Sequence, residues 1–391
     1  MGTTEGAAVE IEVAGRAVRV SSPDRVIFEA TDSTAAVTKL DVARYYAAVA
    51  TLGGRPGESR PAAVAGGAPS DVGGLLRALW HRPTTLERWP RGVREGMVLA
   101  TREGAGRGTR ESPDAFYQKR VPSGAPGYVE TATIAFPSGR TADEIAPTEP
   151  AVPVWAAHMG TIVFHPWPVR SGDVEHPDEL RIDLDPQPGT DFADARRVAM
   201  VARDLLEEVG VRGFPKTSGN RGIHVFVRIE PRWTFTDVRH AAIAFGRELG
   251  RRTDGVTTAW WKEERGEAIF VDYNQNARDR TIASAYSIRP KPGAPVSTPV
   301  TWDELAELDD PRAFHVGTVP ARLEPGGGPH GDGVDPWAEI DDVAHSLDPL
   351  LAWYERDEEE GLGDLPYPPE HPKMAGEPRR VQPSRARRPA D

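Results

Sequence analysis

Two aspartates one residue apart, Asp183 and Asp185, stand in the stretch Glu-Leu-Arg-Ile-Asp-Leu-Asp-Pro over residues 179–186. Leu180, Ile182 and Leu184 alternate with Arg181, Asp183 and Asp185, the period-two pattern of a half-buried strand. Side chains two apart on a strand share a face, so the carboxylates lie about 6.5–7 Å apart along the backbone. Carboxylates that close repel unless a positive charge sits between them, and hard oxygen ligands favour Mg²⁺ or Mn²⁺. Pro186 ends the strand and Gly189 turns the chain, so the pair sits at a strand's C-terminal end, where α/β sheets commonly place ligands. Taken alone, an Asp-x-Asp is more often a solvated strand edge.

Three further groups have chemistry within reach. Ser218-Gly219-Asn220-Arg221-Gly222 is a polar, basic turn between glycines that runs into the apolar stretch Ile223 to Val227. Its backbone N–H groups suit an anion nest, with Ser218 and Arg221 as added donors, although a Gly-rich turn can be only a turn. Asp272 stands at the end of a strand expected over 267–276. Phe116 and Tyr117 precede Lys119 and Arg120, as one core and one surface ring or as a platform for unpaired bases. His165 closes another apolar stretch, where a lone histidine is more often a packing residue.

The elements that position these groups follow from periodicity. A hairpin turns at Ala14-Gly15, and a helix starts at Lys39. Amphipathic helices are expected over 192–209 and 236–251, with Ala195, Val198, Ala202 and Leu205 inward in the first and Val238, Ala241, Phe245 and Leu249 inward in the second. A polar-ended strand is expected over 281–289, and a helix over 336–356. Strand–helix–strand–helix–strand, with carboxylates on the first and last strands, points to an α/β sheet with one acidic, basic-rimmed cleft.

Composition bounds the rest. The 391 residues contain no cysteine, which excludes disulfides, zinc-thiolate sites and thiol nucleophiles. No apolar run approaches the roughly 20 residues of a membrane helix and no signal peptide opens the chain, so a cytoplasmic protein is expected. The net charge of −12 is unevenly placed: residues 323–391 hold 16 Asp/Glu against 7 Lys/Arg, while residues 77–120 hold 10 Lys/Arg against 5 Asp/Glu. Local positive regions decide phosphate contacts, so the acidic total does not exclude DNA.

Three motifs in order, Asp183-Leu184-Asp185-Pro186, Ser218-Gly219-x-Arg221-Gly222-x-His224 and Val271-Asp272-x-x-Gln275-Asn276, resemble the polymerase domain of bacterial ligase D, in the archaeo-eukaryotic primase superfamily. The likeness covers about residues 20–308. Flanking Arg82-Pro83, Arg88-Trp89-Pro90, Phe164-His165 and Tyr286-Ser287-x-Arg289 agree with it. Glu87 and Arg221 depart from it: the first stands where the family usually has a base, the second where it more often has lysine.

The resemblance implies a primase-like α/β (α+β) fold, with central mixed sheets flanked by helices around an acidic catalytic cleft. The polymerase domain would span 15–322, after an extension at 1–14, with insertions at 53–74 and 97–113. An acidic C-terminal helix and disordered tail would follow at 323–391, in a stand-alone version without a ligase segment. Asp183, Asp185 and Asp272 would hold two divalent cations, Mn²⁺ or Mg²⁺. His165, Ser218, Gly219, Arg221, His224, Arg265, Gln275 and Arg289 would bind the nucleotide. Arg25 and Lys39 would take a 5′ phosphate at a gap, and Phe116, Tyr117 and Lys119 would contact DNA. The implied activity is template-dependent nucleotide addition at gaps and broken ends, with an NTP or dNTP as substrate. A Ku end-binding protein and an ATP-dependent DNA ligase would be partners near the nucleoid. A primase starting chains de novo and a non-catalytic DNA-end binding module are the alternatives.

Overall fold

Alternation at the N-terminus builds a hairpin, β1 (Ala8–Val13) and β2 (Arg16–Ser21), joined where Ala14 and Gly15 take positive φ. In this computed structural model, residues 8–57, 59–94, 96–97, 99–100, 114–369, 371–374, 377–378, 380 and 382 are described. A small antiparallel pair, β3 (Val26–Phe28) and β4 (Val37–Thr38), leads into α1 (Lys39–Thr51), whose cap Thr38 and Asp41 form a reciprocal capping box. After α2 (Gly74–Leu79) come β5 (Thr84–Arg88), β6 (Leu99–Ala100), β7 (Ala115–Gln118), β8 (Thr131–Ala135), β9 (Thr141–Ile145), α3 (Ala151–His158) and β10 (Thr161–Pro166). These strands form a sheet of order β6-β7-β5-β9-β8, with β10 also paired to β5. Most of the insertion expected at 97–113 lies outside the described residues.

The second sheet contains β11 (Glu179–Pro186), β12 (Phe214–Thr217), β13 (Ile223–Arg228), β14 (Val256–Thr257) and β15 (Ile269–Val271), in the order β12-β13-β11-β15-β14. Helix α4 (Phe192–Glu208) follows β11 and α5 (Phe235–Arg252) follows β13, each opened by a capping box, at Asp191/Asp194 and Thr234/Asp237. Their inward residues are the expected ones: Ala195, Val198, Ala202 and Leu205 are buried in α4, and Val238, Ala241, Phe245 and Leu249 in α5. The chain then passes through α6 (Trp302–Glu307) and α7 (Val319–Arg322) to α8 (Asp348–Glu359). Among the described residues no helix is long and apolar enough to cross a membrane.

Two expectations need correction. Residues 281–289 are not a strand: Tyr286 takes φ +61° and only Ile288 makes a bridge, to Val296. The segment is held instead by tertiary contacts, with Tyr45 Oη donating to the Tyr286 carbonyl at 2.8 Å. The helix expected over 336–356 begins only at Asp348, because Asp335 is drawn inward to the Tyr286 hydroxyl and Asp341 to Arg228. Part of the segment after residue 323 is packed into the main core, where Trp337, Ile340, Leu347, Leu350 and Tyr354 are buried. It also pins part of the 53–74 insertion, since the Ala68 N–H donates to Asp341 Oδ2 at 2.7 Å and Arg55 donates to the Ala338 carbonyl.

Beneath the start of β11 lies a buried ion cluster. Arg82 pairs with Asp178 (2.6 Å) and Glu179 (3.0 Å), Arg170 with Asp178 (2.7 Å) and Asp341 (3.0 Å), and Arg228 with Asp341 (2.7 Å). Burial acts to raise the Asp341 pKa, but Arg228 and Arg170 overcome it and hold it below the usual carboxylate range. The stability linked to Asp341 is therefore present above the ordinary Asp pKa and is lost as pH falls through the depressed one. Asp341→Ala, which leaves two arginines without this partner, should cost about 3–5 kcal/mol in urea unfolding at pH 7. The difference from wild type should shrink at strongly acid pH; an unchanged unfolding midpoint at pH 7 would show that the cluster does not depend on the C-terminal segment.

Candidate active site

β11 is the strand from which the site is built. It pairs antiparallel with β13 on one side, which sets Asp183 opposite His224, and β13 pairs with β12, which sets His224 opposite Lys216. One row across three strands therefore presents Lys216, His224 and Asp183 on the same face. Lys216 Nζ lies 2.8 Å from His224 Nδ1 and 2.5 Å from Ser297 Oγ, and His224 Nε2 faces Asp183 Oδ1 at 3.4 Å. With Lys216 donating to Nδ1, the neutral imidazole keeps its proton on Nε2, toward the carboxylate. Burial pushes His224 well below its ordinary pKa, with Lys216 and Arg289 adding to it. Burial, then Arg289, does the same to Lys216.

On its other side β11 pairs with β15, and Asp272 follows immediately after. The expected strand over 267–276 is thus only three residues long, and Asp272 caps a 3-10 turn, Tyr273–Asn276. Its N–H donates to the Asp183 carbonyl at 3.0 Å, while Oδ1 accepts from the Asn274 N–H at 3.1 Å and Oδ2 from Gln275 Nε2 at 3.2 Å. Asp185 is exposed and accepts from Gln187 Nε2 at 3.1 Å. Burial, together with Asp272 and Asp185, drives the Asp183 carboxyl well above its ordinary value. Burial likewise raises Asp272, against the pull of Arg280 and Arg265.

Among the described residues, the only ion pair of these three carboxylates is that of Asp183 with His224. Nor do three or more His, Cys, Asp or Glu side chains there close around one point as a ready-made metal cage. Such a donor set fits Mg²⁺ or Mn²⁺ bound by one or two carboxylates, with phosphate and water oxygens completing the shell. It does not fit an all-protein cage.

The turn after β12 stands beside this row. Ser218 Oγ accepts from the N–H groups of Asn220 (3.2 Å) and Gly222 (3.1 Å), so the hydroxyl shapes the turn itself. Gly219 has φ +72°, and a Cβ there would sit 2.4 Å from Arg289 Cγ, so glycine permits Arg289 to cross the turn. Arg289 Nε is buried without a hydrogen-bond partner among the described residues, and the guanidinium feels Glu87, Tyr117 and Asp183. Arg221 is exposed, with weak contacts to the Thr190 and Pro186 carbonyls. Arg265 lies over the Phe270 ring at 3.5 Å and donates to the Ala259 and Trp260 carbonyls and to Gln187.

The first sheet supplies the remaining side chains. His165 Nε2 lies 2.8 Å from Glu87 Oε2, and Trp89 Nε1 donates to Glu87 Oε1 at 2.8 Å. Burial lowers His165, while these hydrogen bonds and Arg289 overcome burial to keep Glu87 below its ordinary value. Glu87 is therefore ionised and orients a neutral His165. Tyr117 is 41% exposed with its ring edge-on to His165 at 5.4 Å, whereas Phe116 sits under the Arg88 guanidinium at 5.2 Å. Lys119 is paired with Asp279 and lies over Phe136 at 4.2 Å. Arg25 donates to the Pro90 carbonyl (2.9 Å) and Lys39 to the Ser21 carbonyl (2.8 Å). Burial, with Arg25 and Arg88 nearby, pushes Lys39 down to about 8.

Sequence reasoning missed Lys216 and the pairing of Glu87 with His165. Lys216 lies two residues before Ser218, and counting register back from His224 across a two-stranded pairing would have found it. No local signal links Glu87 to His165, which are 78 residues apart.

Residues 71–330 match the LigD primase-polymerase domain. The chain is 29% identical over 340 residues to the multifunctional non-homologous end joining protein LigD of Pseudomonas aeruginosa, covering 86% of this chain and 34% of that protein. It is 27% identical over 302 residues to the protein of the same name from Mycolicibacterium smegmatis, covering 76% of this chain and 33% of that one. The chain thus spans about a third of the length of these relatives. Its fold superposes on the polymerase domain from Mycobacterium tuberculosis ligase D in complex with DNA with TM-score 0.65 at 26% identity, covering 84% of this chain and 99% of that one.

The unrelieved carboxylates make a stability prediction. Both Asp183 and Asp272 have folded-state pKa values above the ordinary one, so the metal-free fold binds extra protons. Its stability should fall as pH rises from the ordinary Asp pKa toward neutrality. Asp183→Asn should flatten that slope and raise the melting temperature at pH 7, by about 2–4 °C for each kcal/mol relieved. If these carboxylates hold a divalent cation, the substitution should also diminish the stabilisation read on adding Mn²⁺ as a probe. Differential scanning calorimetry in EDTA and in Mn²⁺ reads both; a variant less stable than wild type in EDTA would contradict the repulsion.

Proposed function

Since the chain belongs to the LigD primase-polymerase domain family, we propose that it is a template-dependent nucleotidyltransferase that adds nucleotides at gaps and broken DNA ends during end joining or repair. The observation that carries this reading is the placing of Asp183 and Asp185 on β11 next to Asp272 in the turn after the paired β15, beside a row of basic and imidazole groups. In the proposed reaction the primer 3′ oxygen bonds to the α-phosphorus of an NTP or dNTP and pyrophosphate leaves. Asp183, Asp185 and Asp272 would hold two divalent cations, Mn²⁺ or Mg²⁺, which when bound stabilise the attacking and leaving oxygens of an in-line displacement.

The chain's own residues do the positioning. Lys216 holds His224, and His224 directs its Nε2–H toward Asp183, keeping that carboxylate oriented in a buried setting. Arg289, whose buried Nε has no hydrogen-bond partner among the described residues, and exposed Arg221 would receive phosphate oxygens at the Ser218 turn. Gln275 donates to Asp272 Oδ2 and would steady that carboxylate beside the nucleotide. His165, fixed by Glu87, would face the sugar. Tyr117 is the exposed ring of its pair and would stack on the template, while Phe116 supports Arg88. Lys119 is engaged by Asp279, which weakens its claim to a DNA phosphate.

Ku and an ATP-dependent ligase are the expected partners, because the relatives carry end joining in their names. Such an enzyme would work in the cytoplasm at the nucleoid.

Primer extension on a gapped duplex with Mn²⁺ or Mg²⁺ tests the chemistry. Asp272→Ala should abolish incorporation while DNA affinity stays within about threefold, because phosphate contacts come from basic residues. Equal extension by wild type and variant would remove the catalytic reading. The DNA-end reading is tested separately. Wild type should prefer a gap carrying a 5′ phosphate, and the Arg25→Ala/Lys39→Ala double variant should lose that preference while keeping activity on an open primer-template. Indifference of wild type to the phosphate would instead favour chain initiation without a primer.

A further inference from the structure

The family match ends at residue 330, yet the chain beyond it touches β12, the end of β13, the segment before Arg289 and the turn that bears Asp272. Trp337 Nε1 donates to the carbonyl of Pro215, beside Lys216, at 2.9 Å. Asp335 Oδ1 accepts from Tyr286 Oη at 2.6 Å, three residues before Arg289. Asp341 pairs with Arg228 at the end of β13. The most direct contact is made by residues 364–366, which lie against the turn that bears Asp272.

That contact is built on two fully committed polar side chains. Arg239, on α5, has no exposed surface. Its Nε donates to Asn274 Oδ1 at 2.8 Å and one terminal nitrogen to Asp364 Oδ1 at 2.6 Å. The other donates to the carbonyls of Leu365 (2.6 Å) and Pro366 (3.2 Å). The guanidinium lies over the Tyr367 ring at 3.6 Å and over Tyr273 at 5.0 Å. Asn274 is 2% exposed, and its other amide end, Nδ2, donates to the Pro366 carbonyl at 3.0 Å. Tyr273 Oη donates to that same carbonyl at 3.2 Å. Both ends of the Asn274 carboxamide are thereby spent, one on α5 and one on the C-terminal segment. Its backbone N–H is then held against Asp272 Oδ1 at 3.1 Å.

We infer that Arg239 and Asn274, held in place by Asp364 and the Pro366 carbonyl, are positioning residues for Asp272, so that the segment after residue 330 is part of the active site's frame. The inference rests on the reading of Asp272 as a metal-holding carboxylate. A buried guanidinium saturated in this way has one geometry, and it transmits that geometry through a single carboxamide to the turn. Groups that orient a metal-holding side chain commonly change affinity or activity when removed.

The test uses the full chain. Asn274→Ala removes the carboxamide but keeps the backbone donor; Asp364→Ala removes the acid that holds Arg239. Asp357→Ala is the control: it breaks ion pairs of the same segment with Arg251 and Arg356 and does not touch the Asp272 turn. Mn²⁺ binding is read by electron paramagnetic resonance without turnover, and kcat and KM by primer extension. Asn274→Ala should weaken Mn²⁺ binding and lower kcat by about 10- to 100-fold, with DNA affinity kept, and Asp364→Ala should act in the same direction; the control should stay within about twofold at a comparable loss of Tm. If Asn274→Ala does not fold, Asp364→Ala carries the same comparison. Variants that match the control in Mn²⁺ binding and kcat would overturn the inference and leave the catalytic reading intact. A wild type that neither binds Mn²⁺ nor extends a primer would overturn the reading of Asp272, and the inference with it.

Discussion

Repulsion among Asp183, Asp185 and Asp272 is the cost around which the rest of the molecule is arranged. Carboxylates do not gather without a reason, and burial makes the gathering dearer by weakening solvation of the charged forms. The backbone enforces it: β11 is hydrogen-bonded to β13 on one side and β15 on the other, and the Asp272 N–H is tied to the Asp183 carbonyl. Residues next to the site supply what partial relief there is, through the His224 Nε2 contact, the Asn274 N–H and the Gln275 amide.

The same strand carries two opposite charge regimes. At its start, Glu179 with neighbouring Asp178 is enclosed by Arg82, Arg181 and Arg228 at hydrogen-bonding distance, and Asp341 completes the cluster from the C-terminal segment. Four residues on, Asp183 has an imidazole beside it and, among the described residues, no arginine in an ion pair. A compensated cluster resists movement because separating any partner strands a buried charge. It anchors one end of β11, while the carboxylates at the other end meet only an imidazole, amides and backbone N–H groups among the described residues, which leaves them able to take a ligand. Arg289 joins the two sheets electrostatically, since it faces Glu87 and Tyr117 on one side and Asp183 on the other. Glu87, which stands where a base was expected, has a physical role: buried between Trp89 and His165, it fixes the imidazole and balances Arg289.

Local periodicity by itself determined much of this protein. The alternation over 179–186, the two long amphipathic helices with their caps, and the Gly219 turn all have short-range causes: side-chain direction, the satisfaction of terminal N–H groups, and a backbone that needs positive φ. The Asp-x-Asp pair was legible for the same reason, and Asp272 was legible as a carboxylate closing an apolar run. What periodicity could not determine was which strands lie side by side. The row from Lys216 through His224 to Asp183 exists only because β12, β13 and β11 pair in one register, and a shift of one residue would turn Lys216 to the other face. The strand expected over 281–289 and the helix expected over 336–356 failed where long-range partners outweighed propensity: Tyr286 is bent by Tyr45 and Asp335, and Asp341 is pulled to Arg170 and Arg228. The acidic composition of residues 323–391 read as solvated because composition counts charges without their partners, and those partners are arginines more than a hundred residues away that only the folded chain brings near.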